Sequence, residues 1–249
     1  MKDVRIKISG MLTGGAAPRA VIGKSLVLGF AATLSTLPHF HALLFGEQAG
    51  MRAFPGTGPW GILAGQSLVL FLVCLLAAMS GLAFAPRQGL QGLGDTAVLR
   101  GEWKRLVLVG ALMATGSFLV FDQWFVRVAP AAYPRSVPVL ISLPFKGALA
   151  EETILRLCMV TLAIGLFKRR WAGIVVISLL APFFGVKYLR YMGLEGVAQG
   201  WIAWQLALSF AANVILGSVF VRRGLFACMV VKFVFNLKYA LVVWLIAIP

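Results

Sequence analysis

Residues 61–85 read GILAGQSLVLFLVCLLAAMSGLAFA and contain no charged side chain. A helix needs about 20 consecutive apolar residues to cross the hydrocarbon core of a bilayer, so this stretch is long enough to span a membrane. The whole chain has the same character, because 60% of its 249 residues are hydrophobic and only 12% are charged. Soluble domains carry roughly 25% charged residues. The sequence therefore predicts an integral membrane protein and excludes a soluble enzyme or a disordered chain.

Seven apolar stretches along the chain are long enough to be transmembrane helices. We therefore predict an all-α fold, a polytopic transmembrane helical bundle of about seven spans. Residues 1–20 are expected to form a basic tail, and residues 21–249 a single transmembrane domain. The tail is too polar for a cleaved signal peptide, so we expect it to be retained. The predicted spans are residues 21–45, 61–85, 106–128, 141–167, 171–187, 198–221 and 225–248.

The net charge of +15 comes from lysines and arginines that cluster at the ends of the apolar stretches. Thirteen of these residues lie in the N-terminal tail and in alternate connections, against four in the remaining connections. Positive charge is retained on the cytoplasmic side of a membrane. The bias predicts a cytoplasmic N-terminus, and we expect the protein in a plasma membrane, most simply the inner membrane of a bacterium. Nucleic-acid binding is not expected, because the chain has no soluble module with a basic face.

Cysteine and histidine provide little support for a metal or a cofactor. Cys74, Cys158 and Cys228 lie in separate apolar stretches and lack the spacing of a zinc ribbon or a redox motif. We interpret them as small packing residues. The two histidines, His39 and His41, follow a proline in the first span and point about 200° apart on a helix, so one metal ion could not bind both. They are interior or interfacial side chains, or one of them is a relocated catalytic histidine.

Charged residues inside the predicted spans are the candidates for a functional site. Each costs about 2.5–3.5 kcal/mol at the centre of a membrane helix. The fourth span contains Glu151, Glu152 and Arg156, the fifth ends near Lys187, and the seventh contains Lys232. Left facing lipid, these residues would together cost on the order of 15 kcal/mol. We predict that they meet in one interior pocket, with Glu152 and Arg156 paired because they lie four residues apart on a helix.

Two further charged residues have a less costly position at the ends of their spans. Lys238 is expected to extend its ammonium group to the lipid headgroups, and Lys187 could do the same. Asp122 lies near the outer end of the third span beside Trp124, which is typical of the aromatic belt at a membrane interface. We therefore interpret Asp122 and Lys238 as interfacial residues rather than parts of the site.

Three short motifs follow one another in the second half of the chain. The segment EETILR begins at Glu151 and has the pattern EExxxR. The segment FFGVK has the pattern FxxxH, with Phe183 in place and Lys187 at the histidine position. The segment KFVFN has the pattern HxxxN, with Asn236 in place and Lys232 at the histidine position. This order resembles the CPBP family of CAAX proteases and bacteriocin-processing enzymes, also called Abi or Rce1-like.

The resemblance implies an α-helical intramembrane protease and a role for each motif residue. Glu151 would activate a water molecule, and Glu152 and Arg156 would form a pair that orients the site. The motif histidines would help to position the water. Asn236 would stabilise the oxyanion, a task that suits a neutral amide donor. No cofactor is implied.

The lysines at positions 187 and 232 change the chemistry that the resemblance implies. With neutral histidines at positions 187 and 232, the two glutamates and Arg156 would carry a formal charge of −1, whereas two protonated lysines raise this charge to +1. A charged lysine donates three hydrogen bonds and accepts none, so it replaces neither a water-binding histidine nor a zinc ligand. The resemblance covers roughly residues 145–240, within a CPBP-like core expected at about 141–248.

Two main interpretations follow. The chain is a non-proteolytic family member, a membrane partner subunit or a binder of a lipidated or helical ligand. Alternatively, it is an active glutamate-dependent endopeptidase in which a lysine loses its proton or clamps the oxyanion. An unrelated transporter or cofactor-binding subunit is a third possibility. For the first interpretation, the expected partners are the lipid bilayer and another membrane protein or a lipidated peptide.

Overall fold

The protein is described by a computed structural model that covers residues 18–45, 58–130, 133–134, 136–191 and 199–246. The predicted tail at residues 1–20 lies almost wholly outside these residues. All regular structure in the described ranges is helical and no strand occurs there, which confirms the all-α fold class. The division into a tail and a single transmembrane domain stays a prediction.

Ten α-helices and three π-helical segments follow one another along the described residues. The α-helices are α1 Pro18–Phe45, α2 Pro59–Phe84, α3 Thr96–Ser117, α4 Gln123–Val128, α5 Val137–Lys146, α6 Thr161–Phe167, α7 Arg170–Tyr191, α8 Gln199–Arg223, α9 Leu225–Asn236 and α10 Lys238–Ile246. The π-helical segments are π1 Phe118–Asp122, π2 Gly147–Glu151 and π3 Thr153–Val160. One 3-10 turn, Pro86–Gln88, follows α2.

Five helical stretches of the described residues are long and apolar enough to cross a membrane. They are Arg19–Ala42, Pro59–Phe84, Leu99–Val128, Gln199–Arg223 and Leu225–Leu245, and they correspond to predicted spans one, two, three, six and seven. In the fifth predicted span, the part of α7 that the structure describes with its side chains is a shorter apolar stretch, Arg170–Phe183. The fourth carries four charged residues between 146 and 156, which lower its hydropathy. The membrane-spanning character is established, while the number seven stays a prediction.

Two sets of close backbone contacts fix the helices around the site. Gly81 on α2 packs against the backbone carbonyl of Leu157 on π3, and a side-chain β-carbon at Gly81 would overlap with that carbonyl. At one end of the bundle, the Leu225 and Phe226 amides donate to the carbonyls of Gly92 and Leu93 at 2.9 Å each. These bonds anchor the first residues of α9, the helix that carries Lys232 and Asn236.

Candidate functional site

The EETILR segment lies where the helix changes from α to π geometry. Segments π2 and π3 occupy residues on either side of Glu152, directly after α5, which contains Pro144. A proline inside a helix removes a backbone donor, and π-helical turns occur frequently at functional sites. The π-helical turns are therefore concentrated at the EETILR motif.

Glu152 and Arg156 form the ion pair that their spacing predicts. The Arg156 Nε atom lies 3.1 Å from Glu152 Oε2, and both side chains are fully buried. The Cys228 thiol donates to the same carboxylate oxygen, with an Sγ to Oε2 distance of 2.8 Å. Arg156 also donates through its NH2 group to Asn213 Oδ1. The pair is thus fixed from α8 and α9 as well as from its own segment.

Cys228 and Asn213 are contacts of the site to which the sequence alone assigns no chemistry; Asn213 is expected only to bridge helices, as it does here. The sequence predicts only a packing role for Cys228, but its thiol also donates a hydrogen bond to the Glu152 carboxylate. Asn213 is held by its own amide, which donates to the Ser209 carbonyl at 2.7 Å. The available signal was an amide in an otherwise apolar span, a residue type that often bridges membrane helices.

Glu151 pairs with Lys232, which confirms the prediction that a lysine at a motif-histidine position meets a motif glutamate. The Lys232 Nζ atom lies 3.0 Å from Glu151 Oε2. The Lys232 side chain is 14% exposed, whereas the Glu151 side chain is 40% exposed. Lys146, at the end of α5, lies close enough to interact electrostatically with both. Glu151 is therefore partly exposed, whereas Glu152 is fully buried.

Asn236 lies beside the same segment, in contact with its first residue. Asn236 is buried, and a β-carbon placed on Gly147 would overlap with its amide nitrogen and lie 3.1 Å from Lys232 Cε. Both α9 side chains therefore pack directly on the Gly147 backbone, which leaves no room for a larger residue. Five of the six predicted site residues are brought together in this way: Glu151, Glu152, Arg156, Lys232 and Asn236.

The sixth, Lys187, lies on α7, but its side chain is outside the described residues. The pairing of Lys187 stays a prediction. Phe183, one turn earlier on the same helix, is exposed on the surface of the bundle. The catalytic roles that the resemblance implies for all six residues also stay predictions, since geometry alone does not test them.

The two histidines have different surroundings. His39 on α1 is buried and lies close enough to Lys146 and Glu151 to interact electrostatically with both. Helix α1 packs against α5 and against π2, which explains this proximity. His41 is exposed and stacks on Phe45, with ring centroids 4.6 Å apart. A histidine from the N-terminal part of the chain thus reaches the site, one of the alternatives that the sequence left open.

The interpretation of Asp122 and Lys238 as interfacial residues is wrong. Both are buried, and Lys238 Nζ lies 2.8 Å from Asp122 Oδ2. Ser117 and Tyr133 each donate a hydroxyl to the Asp122 carboxylate at 2.7 Å. The Lys238 ammonium also lies 4.7 Å from the centre of the Phe235 ring. The sequence pattern missed this cluster because its members lie on elements that are distant in the chain.

Tyr133 is the member of this cluster that lies outside the membrane-spanning helices. Burial, and then the adjacent Asp122 carboxylate, raise the pKa of the Tyr133 phenol. The phenol therefore stays protonated and serves as a donor to Asp122. Every carboxylate oxygen of Asp122 has a partner, so this second cluster is a closed network.

Among the described residues, no group of three histidine, cysteine, aspartate or glutamate side chains is arranged to hold a metal ion. The charged groups of the described site are two carboxylates and the cations beside them. Counting Glu151, Glu152, Arg156, Lys146 and Lys232, the formal charge of the described site is +1.

Comparison with known proteins supports the resemblance. Residues 133–238 match the family model of the Rce1-like proteins, described as type II CAAX prenyl endopeptidase Rce1-like. No curated protein and no solved structure matches the chain. The matched range contains π2, π3, α7 and α9, which together with Glu152 between the two π-helical segments carry the six motif positions. Residues 133–238 are therefore similar to the Rce1-like proteins, which confirms the resemblance to the CPBP family that the three motifs predict.

Proposed function

We propose that this integral membrane protein uses an Rce1-like core to bind a membrane-embedded ligand and does not cleave it by a glutamate–histidine mechanism. The ligand is a lipidated peptide or the helix of a partner membrane protein. The observation that carries this proposal is the ion pair between Glu151 and Lys232, with 3.0 Å between Nζ and Oε2. A general base directs a lone pair at a water molecule, whereas the Lys232 ammonium group already binds the Oε2 atom of Glu151.

The rest of the site supports the same interpretation. Glu152 cannot replace Glu151 as the base, because it is fully buried and already binds Arg156 and the Cys228 thiol. Lys232 cannot orient a water as a neutral histidine does, because an ammonium group has no acceptor. Lys232 and Glu151 compensate each other's charge in apolar surroundings, so an ion pair stabilises this part of the site.

A groove beside the site supports entry of the ligand from the membrane. It has a volume of about 580 Å³ and lies between α1 and α5. Its walls include Leu34, Pro38, Ile141 and Phe145, so most of its lining is apolar. Two of these wall residues, Pro38 and Phe145, directly precede His39 and Lys146 in the chain. His39 and Lys146 both interact electrostatically with Glu151, so the groove lies next to the polar site. A lipid chain of a lipidated peptide in this groove would bring the attached peptide to the polar site.

The location belongs to the same proposal. The thirteen-to-four distribution of lysine and arginine supports a cytoplasmic N-terminus. We place the protein in the plasma membrane, specifically the inner membrane of a bacterium. Its partners there are the bilayer and a second membrane protein or a lipidated peptide.

One observation favours a second candidate, an active glutamate-dependent endopeptidase. The Glu151 side chain remains 40% exposed although it is paired, so the protein leaves part of this carboxylate uncovered. In that case the Lys232 ammonium group would lie beside the developing oxyanion, and its positive charge would stabilise the transition state.

The deciding experiment uses the purified full chain in liposomes with a fluorogenic farnesylated CAAX-type peptide. We expect binding, detected by fluorescence polarisation, without cleavage by the unmodified protein. The same peptide without its farnesyl group should bind at least about tenfold more weakly, since a buried CH₂ contributes about 0.8 kcal/mol. Cleavage by the unmodified protein that Glu151→Gln abolishes would establish the peptidase instead. Cleavage acquired by Lys187→His/Lys232→His would support the proposed loss of activity.

A further inference from the structure

The end of the bundle where α9 begins brings four chain segments together. They are the turn Pro86–Gln88, the first turns of α3, the turn between α6 and α7, and the end of α8. The Arg170 side chain donates through its NH2 group to the Gly89 carbonyl at 3.2 Å, which joins the first segment to the third. The Arg223–Glu102 ion pair, with 2.8 Å between Nε and Oε2, joins α8 to α3. These contacts hold the charged residues of all four segments at one end of the molecule.

This end of the molecule is strongly basic. Residues 86–105, 168–170 and 222–223 carry nine exposed lysines and arginines against two carboxylates, a formal charge of +7. Asp95 caps α3 by accepting from the Ala97 amide at 2.8 Å, and Glu102 pairs with Arg223. The nine cations, named the basic surface below, are Arg87, Arg100, Lys104, Arg105, Lys168, Arg169, Arg170, Arg222 and Arg223. Most of this positive charge is therefore left to an outside partner.

One part of the basic surface combines cations from two helix ends. The Lys168, Arg169 and Arg222 side chains form no ion pair or hydrogen bond with another described residue. Helices α7 and α8 pack side by side, and Gly217 on α8 lies against the Ile174 side chain of α7. Arg222 follows Gly217 by five residues, and the turn at residues 168–170 precedes Ile174 by four to six. At 1.5 Å per residue, these cations lie at the same height on neighbouring helices.

Exposed tryptophans show that the basic surface lies at the edge of the membrane. Trp103 and Trp171 directly adjoin Lys104 and Arg170 in the chain, and they are 51% and 63% exposed. The Lys104 ammonium group lies 6.0 Å from the centre of the Trp103 ring. Tryptophan in membrane proteins is enriched at the level of the lipid headgroups. The neighbouring cations therefore stand where headgroup phosphates are, and not on a domain that projects into water.

We propose that the basic surface binds anionic phospholipids, with Lys168, Arg169 and Arg222 around the headgroup phosphate. The planar guanidinium group of arginine matches the oxygens of a phosphate. Basic pockets between transmembrane helices bind acidic lipid headgroups in the same way. The position of the tryptophans favours a lipid over a soluble acidic protein, which would meet cations beyond the headgroups. This inference goes beyond the proposed function, since it holds whether the Glu151 site binds its ligand or cleaves it.

The test titrates the purified full chain, in micelles of a neutral detergent, with phosphatidylglycerol or phosphatidylcholine. Bound lipid is counted by native mass spectrometry. The unmodified protein should bind phosphatidylglycerol at least about tenfold more tightly than phosphatidylcholine, and salt should weaken this preference. Lys168→Gln/Arg169→Gln/Arg222→Gln should bind phosphatidylglycerol at least about tenfold more weakly than the unmodified protein, because one lysine or arginine near an anionic lipid surface contributes about fivefold.

The matched control is Arg127→Gln. Arg127 is an exposed cation beside an exposed tryptophan, with its guanidinium 5.6 Å from the centre of the Trp124 ring. It lies at the other end of the long span Leu99–Val128, away from the basic surface. Its loss should change the affinity for phosphatidylglycerol by no more than about twofold, although it too removes a positive charge.

Two further measurements separate lipid binding from folding and from other partners. The melting temperature of the triple variant in phosphatidylcholine should match that of the unmodified protein, and Arg169→Gln and Arg222→Gln alone should each weaken phosphatidylglycerol binding about fivefold. Equal affinities for the two lipids would overturn the inference, as would a loss of less than tenfold in the triple variant. Binding of a polyglutamate peptide without a preference for phosphatidylglycerol would assign the basic surface to an acidic protein instead.

Discussion

The two lysines of the last two helices meet their carboxylates in different surroundings. Lys238 and Asp122 are both nearly inaccessible, at 8% and 3% side-chain exposure, and Ser117 and Tyr133 complete the hydrogen bonds of the carboxylate. Among the residues that the structure describes, Lys232 pairs with one carboxylate, that of Glu151, whose side chain is 40% exposed. A closed network stabilises a fold, whereas an open pair leaves a carboxylate that another molecule can reach. The comparison separates a structural cluster from a candidate site.

Phe235 lies between the two regions and contacts both lysines. Its ring centre is 4.7 Å from Lys238 Nζ and 5.8 Å from Lys232 Nζ. The two clusters are therefore neighbours, and disruption of one can disturb the other. Variants that remove one charge at a time, with the neutralising second substitution as a control, measure how far they are independent.

Arg156→Met should give the largest loss of stability. It leaves the fully buried Glu152 carboxylate without its cation, and removal of one partner of a buried pair costs about 3–5 kcal/mol. We expect a marked fall in the melting temperature in detergent. The double variant Glu152→Gln/Arg156→Met should recover part of the loss, because the remaining amide is neutral. A melting temperature unchanged in the single variant would contradict the sealed arrangement of this pair.

Lys238→Met should destabilise the protein more than Lys232→Met. The first variant strands a buried Asp122 and should cost about 3 kcal/mol. The second leaves a Glu151 carboxylate that the protein only partly covers, so about 1–2 kcal/mol is expected, between the ranges for exposed and buried pairs. Thermal unfolding of both variants in the same detergent measures the difference. If Lys238 lay at the membrane interface, Lys238→Met would instead cost less stability than Lys232→Met. Equal losses of stability in the two variants would show that the two clusters do not differ in this respect.

Gly147→Ala tests the packing that holds Asn236 and Lys232 at the site. The new methyl group would overlap with the Asn236 amide, and overpacking in a core typically costs about 1–3 kcal/mol. Gly165→Ala provides a control on the following helix, where the nearest contact is the end of the flexible Gln88 side chain at 3.1 Å. We expect the first variant to lower both the melting temperature and peptide binding, and the second to lower neither appreciably. Unimpaired binding by Gly147→Ala would show that Asn236 need not hold its position.

Arg223→Ala should have the smallest effect. Its Nε atom lies 2.8 Å from Glu102 Oε2, and the two side chains are 43% and 25% exposed. Pairs in contact with water contribute about 0–1 kcal/mol and are screened by salt. The melting temperature of this variant should lie within a few degrees of the unmodified protein, and the difference should shrink at high ionic strength. A large, salt-independent loss would mean that this pair is as sealed as Asp122–Lys238.

Some of the site could be predicted from the sequence alone. Charged residues in apolar spans must find partners wherever the helices lie, because the cost of exposing them to lipid does not depend on topology. The pairing of Glu152 with Arg156 also follows from local geometry, since residues four apart on a helix are neighbours. The same reasoning predicted that a motif lysine would meet a motif glutamate, and Lys232 meets Glu151.

Only the tertiary structure decided which distant groups complete each cluster. Asp122 and Lys238 are 116 residues apart in the chain, Glu152 and Cys228 are 76 apart, and Arg156 and Asn213 are 57 apart. Sequence periodicity reports which face of a helix a residue occupies, and it carries no information on which other helix that face meets. Lys238 could extend to the interface or turn inward from the same position. The packing of α10 against α4 and π1 turns the Lys238 side chain inward, towards Asp122. In the same way, the packing of α1 against π2 brings His39 close enough to Glu151 for an electrostatic interaction.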